Sequence, residues 1–280
     1  MLAKGCKVSR HDVNELLQFF DYKRRRLIKS ESLKEVQGRN DQFEHIEELK
    51  KAFIENGFAC LSIDTKNKEL IGNFYRSGTY FGQENQRVYD HDFPSYSSGK
   101  VIPHGIYDMA DNKGYLSLGT SHDTSEFVCD NIEHYWKEDL QWKYQDTEWM
   151  LLLCDSGGSN NCRHYLFKQD VYQLAQELQM NIVVAHYPTY CSKYNPIERK
   201  LFCHIHRQWE GVAFKNIQIV KELAEKTSTQ TGLEVKVRIN KKQYNTKRKY
   251  QQEFKQNIEN YVAFGDQLPL WNYTVFHKPL

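Results

Sequence analysis

The chain has 280 residues, of which 40% are hydrophobic and 26% are charged, with a formal net charge of +2 and a mean hydropathy of −0.74. This length and composition are typical of a soluble protein with one large domain, or with one domain plus appendages. Because no stretch approaches the ~18 apolar residues of a membrane helix, and no signal peptide begins the chain, we predict a cytoplasmic protein without a membrane partner. Seven cysteines without a compact framework spacing indicate reduced thiols.

The first segment, residues 1–40, is predicted to contain one short helix followed by basic residues. Ser9 and Asp12 form a capping-box pattern ahead of an apolar stripe, which predicts a helix over residues 9–20. The basic side chains that follow include Arg24, Arg25 and Arg26. We interpret this segment as the remnant of an N-terminal helical DNA-binding domain. A second amphipathic pattern predicts a linking helix within residues 41–57.

Residues 58–212 show an ordered series of strand and helix patterns. Strands are predicted at 58–64, 69–75, 101–107, 114–119, 149–155 and 181–187, and helices at 123–142, 163–179 and 195–209. Three strands in an antiparallel meander, followed by alternating helices and strands, are the element order of the ribonuclease-H-like fold. The predicted class is therefore α/β, with a ribonuclease-H-like mixed sheet of three antiparallel and then two parallel strands, flanked by helices.

Three carboxylates occupy positions that this fold would bring together. Asp64 ends the predicted strand 58–64, Asp155 ends the predicted strand 149–155, which corresponds to the fourth strand of this fold, and Glu198 lies at the start of the last predicted helix. Since the first strand of this fold lies beside the fourth, both aspartates should meet at one edge of the sheet, and the helix should add the glutamate. Clustered carboxylates repel one another, and hard divalent cations relieve that repulsion. The sequence therefore predicts a catalytic site for two Mg²⁺ or Mn²⁺ ions.

Each of these acids also has a purely structural interpretation. Asp64 is followed by polar residues typical of a turn, and Asp155 precedes a glycine loop that it could cap. Asn195 and Glu198 have the spacing of a capping box, with a proline between them at the first helical position. The catalytic hypothesis depends on the convergence of all three acids.

Basic and polar residues on both sides of these acids indicate a polyanionic partner such as DNA. Lys193 precedes the helix of Glu198, whose N-terminus favours anions, and Asn160 and Arg163 follow Asp155. Residues 213–280 are predicted to form a C-terminal basic extension. Its proposed DNA contacts are Lys241, Lys242, Lys247 and Arg248. A single charge run is compatible with a solvated face, but two clusters flanking a carboxylate site favour DNA.

Several short motifs occur in a characteristic order along the chain. They are Ile63-Asp64-Thr-Lys-Asn-Lys, Gly105-Ile-Tyr-Asp108, Asp155-Ser-Gly-Gly-Ser-Asn, His186-Tyr-Pro and Asn195-Pro-Ile-Glu198. Together they resemble the DDE transposases of bacterial insertion sequences, in particular the ISAzo13 group. The resemblance implies a ribonuclease-H-like core that uses the three acids with Mg²⁺. It also implies binding to terminal inverted repeats and target DNA, strand cleavage and transfer, and a homodimer or larger assembly on DNA.

Members of that group carry a fuller N-terminal DNA-binding region, so the resemblance also predicts an N-terminally truncated form. Two other functions stay open on the sequence alone. One is a stand-alone ribonuclease-H-like nuclease, which hydrolyses DNA strands without rejoining them. The other is a non-catalytic DNA-binding remnant that only occupies the ends of a mobile element.

Overall fold

The computed structural model describes residues 8–25 and 37–280. The chain divides into two compact units, Met1–Glu35 and Val36–Leu280. None of the helices within the described ranges combines the length and the apolar character that crossing a bilayer requires. The six cysteines in these ranges are all free, and five of them are buried.

The first unit contains helix α1 (Arg10–Phe19). The predicted capping box is present: the Asp12 amide donates to Ser9 Oγ at 3.2 Å, and the Ser9 amide donates to Asp12 Oδ2 at 2.8 Å. Arg24 and Arg25 are exposed, whereas Arg26 lies outside the described residues.

A mixed sheet of nine strands forms the centre of the second unit, as far as residues 37–280 are concerned. The strands are β1 (Ala59–Thr65), β2 (Glu69–Ile71), β3 (Gly99–Asp108), β4 (Lys113–Gly119), β5 (Trp149–Cys154), β6 (Asn181–His186), β7 (Glu234–Asn240), β8 (Val262–Phe264) and β9 (Asn272–Val275). Their order across the sheet is β7-β4-β3-β1-β5-β6-β9-β8, and β2 pairs with β3.

The arrangement around β1 is that of a ribonuclease-H-like fold. β1, β3 and β4 form an antiparallel meander, and β5 and β6 continue the sheet parallel to β1. The predicted fold class is therefore confirmed, with the first strand beside β5. The prediction for residues 69–75 was too long, because β2 ends at Ile71. Gly72 turns the chain away at a φ of 148°, and its amide donates to the Phe214 carbonyl at 2.8 Å.

Residues 213–280 contribute three strands to this sheet. β7 lies parallel to β4 at one edge, while β9 pairs antiparallel with β6 and with β8 at the other. Val235 and Val237 alternate with exposed residues along β7, so that one face of this edge strand is buried. The segment predicted as a basic extension is thus part of the sheet, and the domain boundaries stay a prediction.

Helices cover both faces of the sheet. They are α2 (Arg39–Glu55), α3 (Ser125–Tyr135), α4 (Gln141–Lys143), α5 (Tyr165–Leu178), α6 (Cys203–Trp209), α7 (Ile217–Glu225) and α8 (Gln252–Gln256). A π-helical turn joins α3 to α4, and a second, Glu198–Phe202, leads into α6. Helices α3, α5 and α8 pack on one face; α2, α6 and α7 pack on the other.

Candidate active site

Two adjacent strand ends deliver Asp64 and Asp155 to one edge of the sheet. In the parallel pair of β1 and β5, Ser62 lies opposite Leu153. Continuing this register by two residues puts Asp64 beside Asp155. Side chains alternate between the two faces of a strand, so Asp64 lies on the face of Cys60 and Asp155 on the face of Leu153. Cys60 and Leu153 pack under α2, so both carboxylates lie on the side of the sheet that α2 covers.

Glu198 reaches the same place from the turn that precedes α6. It lies close enough to Asp64 for the two carboxyl groups to shift each other's pKa. Its amide donates to the Asn195 carbonyl at 3.1 Å, and the Asn195 amide donates to the Ser192 carbonyl at 2.8 Å. The capping-box interpretation is therefore wrong, because both amides have backbone partners. The π-helical turn that begins at Glu198 is a local distortion often found at functional sites.

Burial and like charges act together on Asp64. Desolvation is the largest cause that raises the pKa of this carboxyl group well above its usual range. The charge of Asp155 comes next, and Glu198 and Asp123 add smaller contributions in the same direction. The amide of Thr65, which donates to Asp64 Oδ1 at 2.7 Å, opposes the shift. The site thus disfavours several negative charges at once.

The other two acids respond in the same direction. Desolvation raises the pKa of Asp155, with Asp123 and Glu198 adding to the shift and the Gly157 amide opposing it. Desolvation also raises the pKa of Glu198. Lys66 opposes that shift because its positive charge favours the carboxylate. Neighbouring acids that resist joint ionisation form a donor set that a bound cation would stabilise.

The carboxylates also engage local backbone donors. Asp155 Oδ1 accepts from the Gly157 amide at 3.3 Å, much as its loop-capping interpretation requires. Within the part of the chain that the structure describes, no three His, Cys, Asp or Glu side chains adopt a ready-made metal-binding arrangement. Oxygen donors nevertheless match the preference of Mg²⁺ and Mn²⁺. The three carboxylates, which lie close enough to affect one another's pKa, fit such ions by their chemistry.

Sequence patterns did not single out two charged neighbours of these acids. Asp123 precedes α3 and accepts a hydrogen bond from Thr65 Oγ1 at 3.2 Å. Lys66 pairs with Glu69 at 3.0 Å and lies 5.1 Å from the ring centroid of Trp209. A cavity of about 370 Å³ opens beside them, lined by Thr65, Lys66, Asn67, Glu198, Phe202, Cys203 and His206. The position of Lys66, two residues after a strand-end aspartate, was the available signal.

The residues predicted to bind DNA near the acids differ in accessibility. Lys193 and Arg163 are exposed, and the Lys193 ammonium lies 5.0 Å from the ring centroid of Tyr194. Asn160 is only 2% exposed, because it belongs to a short helical turn that packs against α3. Its burial contradicts the predicted surface contact with DNA.

Two of the predicted C-terminal contacts are engaged in ion pairs. Lys242 Nζ lies 2.7 Å from Asp130 and 3.1 Å from Glu126. Arg248 approaches the buried Asp170 at 2.7 Å and Glu126 at 3.2 Å. These pairs join the C-terminal segment to α3 and α5, which gives both cations a structural role. Their contact with DNA stays a prediction, as it does for the exposed Lys241 and Lys247.

Comparisons with known proteins give the family of this chain and list solved structures that are similar to it. The family described as "Rhodopirellula transposase DDE domain" matches residues 1–277, whereas no curated protein matches the chain. Similar solved structures include the Mos1 transposase paired-end complex with left transposon end, with 16% identity and a TM-score of 0.47, covering 79% of this chain and 63% of that one.

Another is the Mos1 mariner paired end complex with Mn, with 14% identity and a TM-score of 0.49, covering 79% of this chain and 64% of that one. This chain thus spans less than two thirds of the Mos1 chains. The family match confirms the resemblance to DDE transposases, and because it covers residues 1–277, the chain belongs to the Rhodopirellula transposase DDE domain family.

Proposed function

We propose that this chain is a DDE transposase that cuts DNA strands at insertion-sequence ends and joins them to target DNA. The observation that carries the proposal is the convergence of Asp64, Asp155 and Glu198, which come from three different elements. Membership of the transposase DDE family supports the same chemistry. Because two element ends must be brought together, the proposal includes a homodimer or larger assembly on DNA.

The three acids would hold a pair of Mg²⁺ or Mn²⁺ ions. Carboxylate oxygens are the ligands that these hard cations prefer. Burial raises the pKa of all three acids, and like charges add to the shift at Asp64 and Asp155. The positive charge of the ions would relieve both effects. When bound, such ions activate a water or 3′-hydroxyl nucleophile and stabilise the leaving oxygen at a phosphodiester.

The protein's own residues would hold the acids and receive the DNA backbone. Glu198 and Lys66 line one cavity, so a strand lying there would meet a carboxylate and an ammonium group together. Lys193 belongs to the turn before Glu198, and Arg163 to the loop after Asp155. Both are exposed, and we assign them to phosphate contacts, which position DNA without reading its sequence.

Alanine substitution of each acid tests this proposal. The variants Asp64→Ala, Asp155→Ala and Glu198→Ala should each lose at least about 100-fold in metal-dependent nicking of a supercoiled plasmid. Removing a direct ligand should exceed the 10–100-fold loss typical of its supporting groups. DNA affinity, measured by gel shift, should change little. Asp146→Ala, which changes an exposed aspartate elsewhere, should nick like the wild type.

Three further results separate the alternatives. Undiminished nicking by Glu198→Ala would show that this residue is not a metal ligand. Joining of a pre-cut element end to plasmid DNA distinguishes a transposase from a nuclease that only hydrolyses strands. DNA binding without cleavage in Mg²⁺ or Mn²⁺ would instead indicate a non-catalytic DNA-binding protein.

A further inference from the structure

A buried hydrogen-bonded pair joins β1 to the turn that carries Glu198. Ser62 and Asn195 are both 0% exposed although 133 positions separate them. Ser62 Oγ donates to Asn195 Oδ1 at 2.5 Å, and Asn195 Nδ2 donates to the Ile63 carbonyl at 3.0 Å. The Ile197 amide donates to Ser62 Oγ at 3.0 Å. We name this pair the Ser62–Asn195 clasp.

The clasp lies next to two of the proposed ligands. Ser62 precedes Asp64 by two residues on the same strand, so both side chains belong to one face. Asn195 precedes Glu198 by three residues, and its carbonyl accepts a hydrogen bond from the Glu198 amide. Moving the turn along β1 would therefore break the clasp. The same movement would change the distance between the Asp64 and Glu198 carboxylates.

The clasp admits one alignment of the two elements. The Ser62 hydroxyl donates a hydrogen bond to the Asn195 side chain and accepts one from the Ile197 amide. A shift of the turn would leave these buried polar groups without partners, which is strongly unfavourable. Apolar contacts are less directional than these hydrogen bonds.

We infer that Ser62 and Asn195 are positioning residues that set the spacing of the Asp64 and Glu198 carboxylates and hence the affinity of the site for divalent metal. This inference rests on the proposed function. Groups that orient metal ligands commonly contribute 10–100-fold to metal affinity. Loss of the Ser62 hydroxyl should therefore raise the Mn²⁺ concentration needed for half-saturation by about 10-fold.

Three substitutions at Ser62 isolate the hydroxyl. Ser62→Ala removes it, Ser62→Cys keeps a similar shape with a much weaker hydrogen-bonding group, and Ser62→Thr keeps the hydroxyl. We expect weakened Mn²⁺ binding in the first two variants and recovery in the third. Cys60→Ala is the matched control. It truncates a fully buried side chain two residues earlier on the same strand and face, outside the clasp.

Two measurements separate positioning from general stability. Isothermal titration with Mn²⁺, without DNA, gives the affinity directly, and urea unfolding in EDTA gives the stability of each variant. Cys60→Ala should lose stability and keep the wild-type Mn²⁺ affinity, whereas Ser62→Cys should lose affinity. The Mn²⁺ dependence of plasmid nicking should shift with the titration midpoint.

Wild-type Mn²⁺ affinity in Ser62→Cys would overturn the positioning role while leaving the proposed function intact. Equal losses of Mn²⁺ affinity in Ser62→Cys and Cys60→Ala would also overturn it, because general loosening of β1 would then explain both. A wild-type protein that binds no Mn²⁺, with Asp64→Ala behaving identically, would reject the proposed function and the inference with it.

Discussion

Asp64 is the most buried of the three acids, at 8% exposure, and its folded-state pKa is raised by burial and by neighbouring acids. In an unfolded chain the same group ionises near pH ~3.9. Between that value and the raised pKa, the folded protein holds a proton that the unfolded chain has released. The stability that this proton contributes is complete at low pH and is lost as the pH rises through the folded-state pKa.

Asp64→Asn should therefore stabilise the protein in EDTA at alkaline pH. The amide keeps an oxygen for the Thr65 amide and cannot acquire a negative charge. We expect a gain of about 1–3 kcal/mol at pH 8.5 that shrinks toward pH 4.5. Urea unfolding at three pH values measures it. The exposed Asp146→Asn should show no such trend, and an Asp64→Asn protein less stable than the wild type at pH 8.5 would contradict the argument.

The sequence singled out the three acids through local patterns, and their catalytic role stays a prediction. Asp64, Asp155 and Glu198 lie at a strand end or a helix start within short motifs, and the structure brings them together. Asn195 was marked only as a possible helix cap and as part of a motif, and Ser62 was not marked at all, because their hydrogen bond joins residues 133 positions apart. Polar side chains in loops are also ambiguous, since nothing in a single sequence marks them as buried.

At the scale of elements, glycines let the Glu198 turn approach the sheet. Gly105 lies on β3 opposite Asp64. A Cβ atom added there would lie 2.5 Å from the Phe202 ring and 2.9 Å from the Ile197 side chain. Both neighbours are buried in the core, where there is little room to yield. The missing side chain thus allows the turn to lie directly on β3.

Gly105→Ala should push this turn away from β3. We expect a stability loss of about 1–3 kcal/mol from overpacking and a fall in nicking of at least about 10-fold, since a displacement near 1 Å at a reacting group has such effects. Gly99→Ala is the control on the same strand, because a Cβ there meets nothing within 4 Å. Matching stability and nicking in the two variants would show that the close approach is unimportant.

The order of elements was predictable, whereas their irregular parts were not. Alternating and continuous apolar runs report burial directly, so they located the strands. The element order of the fold then predicted that β1 lies beside β5, as the structure has it. The two π-helical turns, Trp136–Leu140 and Glu198–Phe202, carry an apolar period close to that of an α-helix and were absorbed into longer predicted helices. Strands β8 and β9 have three and four residues, too few for a clear periodic signal.

The whole molecule has a formal net charge of +2, but its basic residues differ in role, since some form ion pairs within the fold and others are exposed. An acidic cavity of about 590 Å³ between α3 and α5 is lined by Glu126, Asp130, Glu133, Asp170 and Glu177, together with Lys242 and Arg248. The two cations neutralise part of this negative charge and hold the C-terminal segment. Lys247 lies next to Arg248 in the chain but is exposed. Adjacent basic residues therefore have different surroundings.

Arg248→Ala and Lys247→Ala should separate stability from DNA binding. Arg248 donates two hydrogen bonds to Asp170, at 2.7 and 3.1 Å, and that carboxylate is 2% exposed. Its removal leaves a buried charge poorly paired, so we expect a loss of about 2–3 kcal/mol in urea unfolding. Lys247→Ala should keep stability within about 0.5 kcal/mol.

If Lys247 contacts a phosphate, its loss weakens DNA binding and reduces the slope of log affinity against log salt by about 1, because one counterion fewer is released. Fluorescence anisotropy across salt concentrations measures that slope for both variants. Arg248→Ala should keep the wild-type slope at a temperature where it is folded. The reverse outcome, a reduced slope for Arg248→Ala and an unchanged one for Lys247→Ala, would mean that the ion pairs with α3 and α5 open to receive DNA.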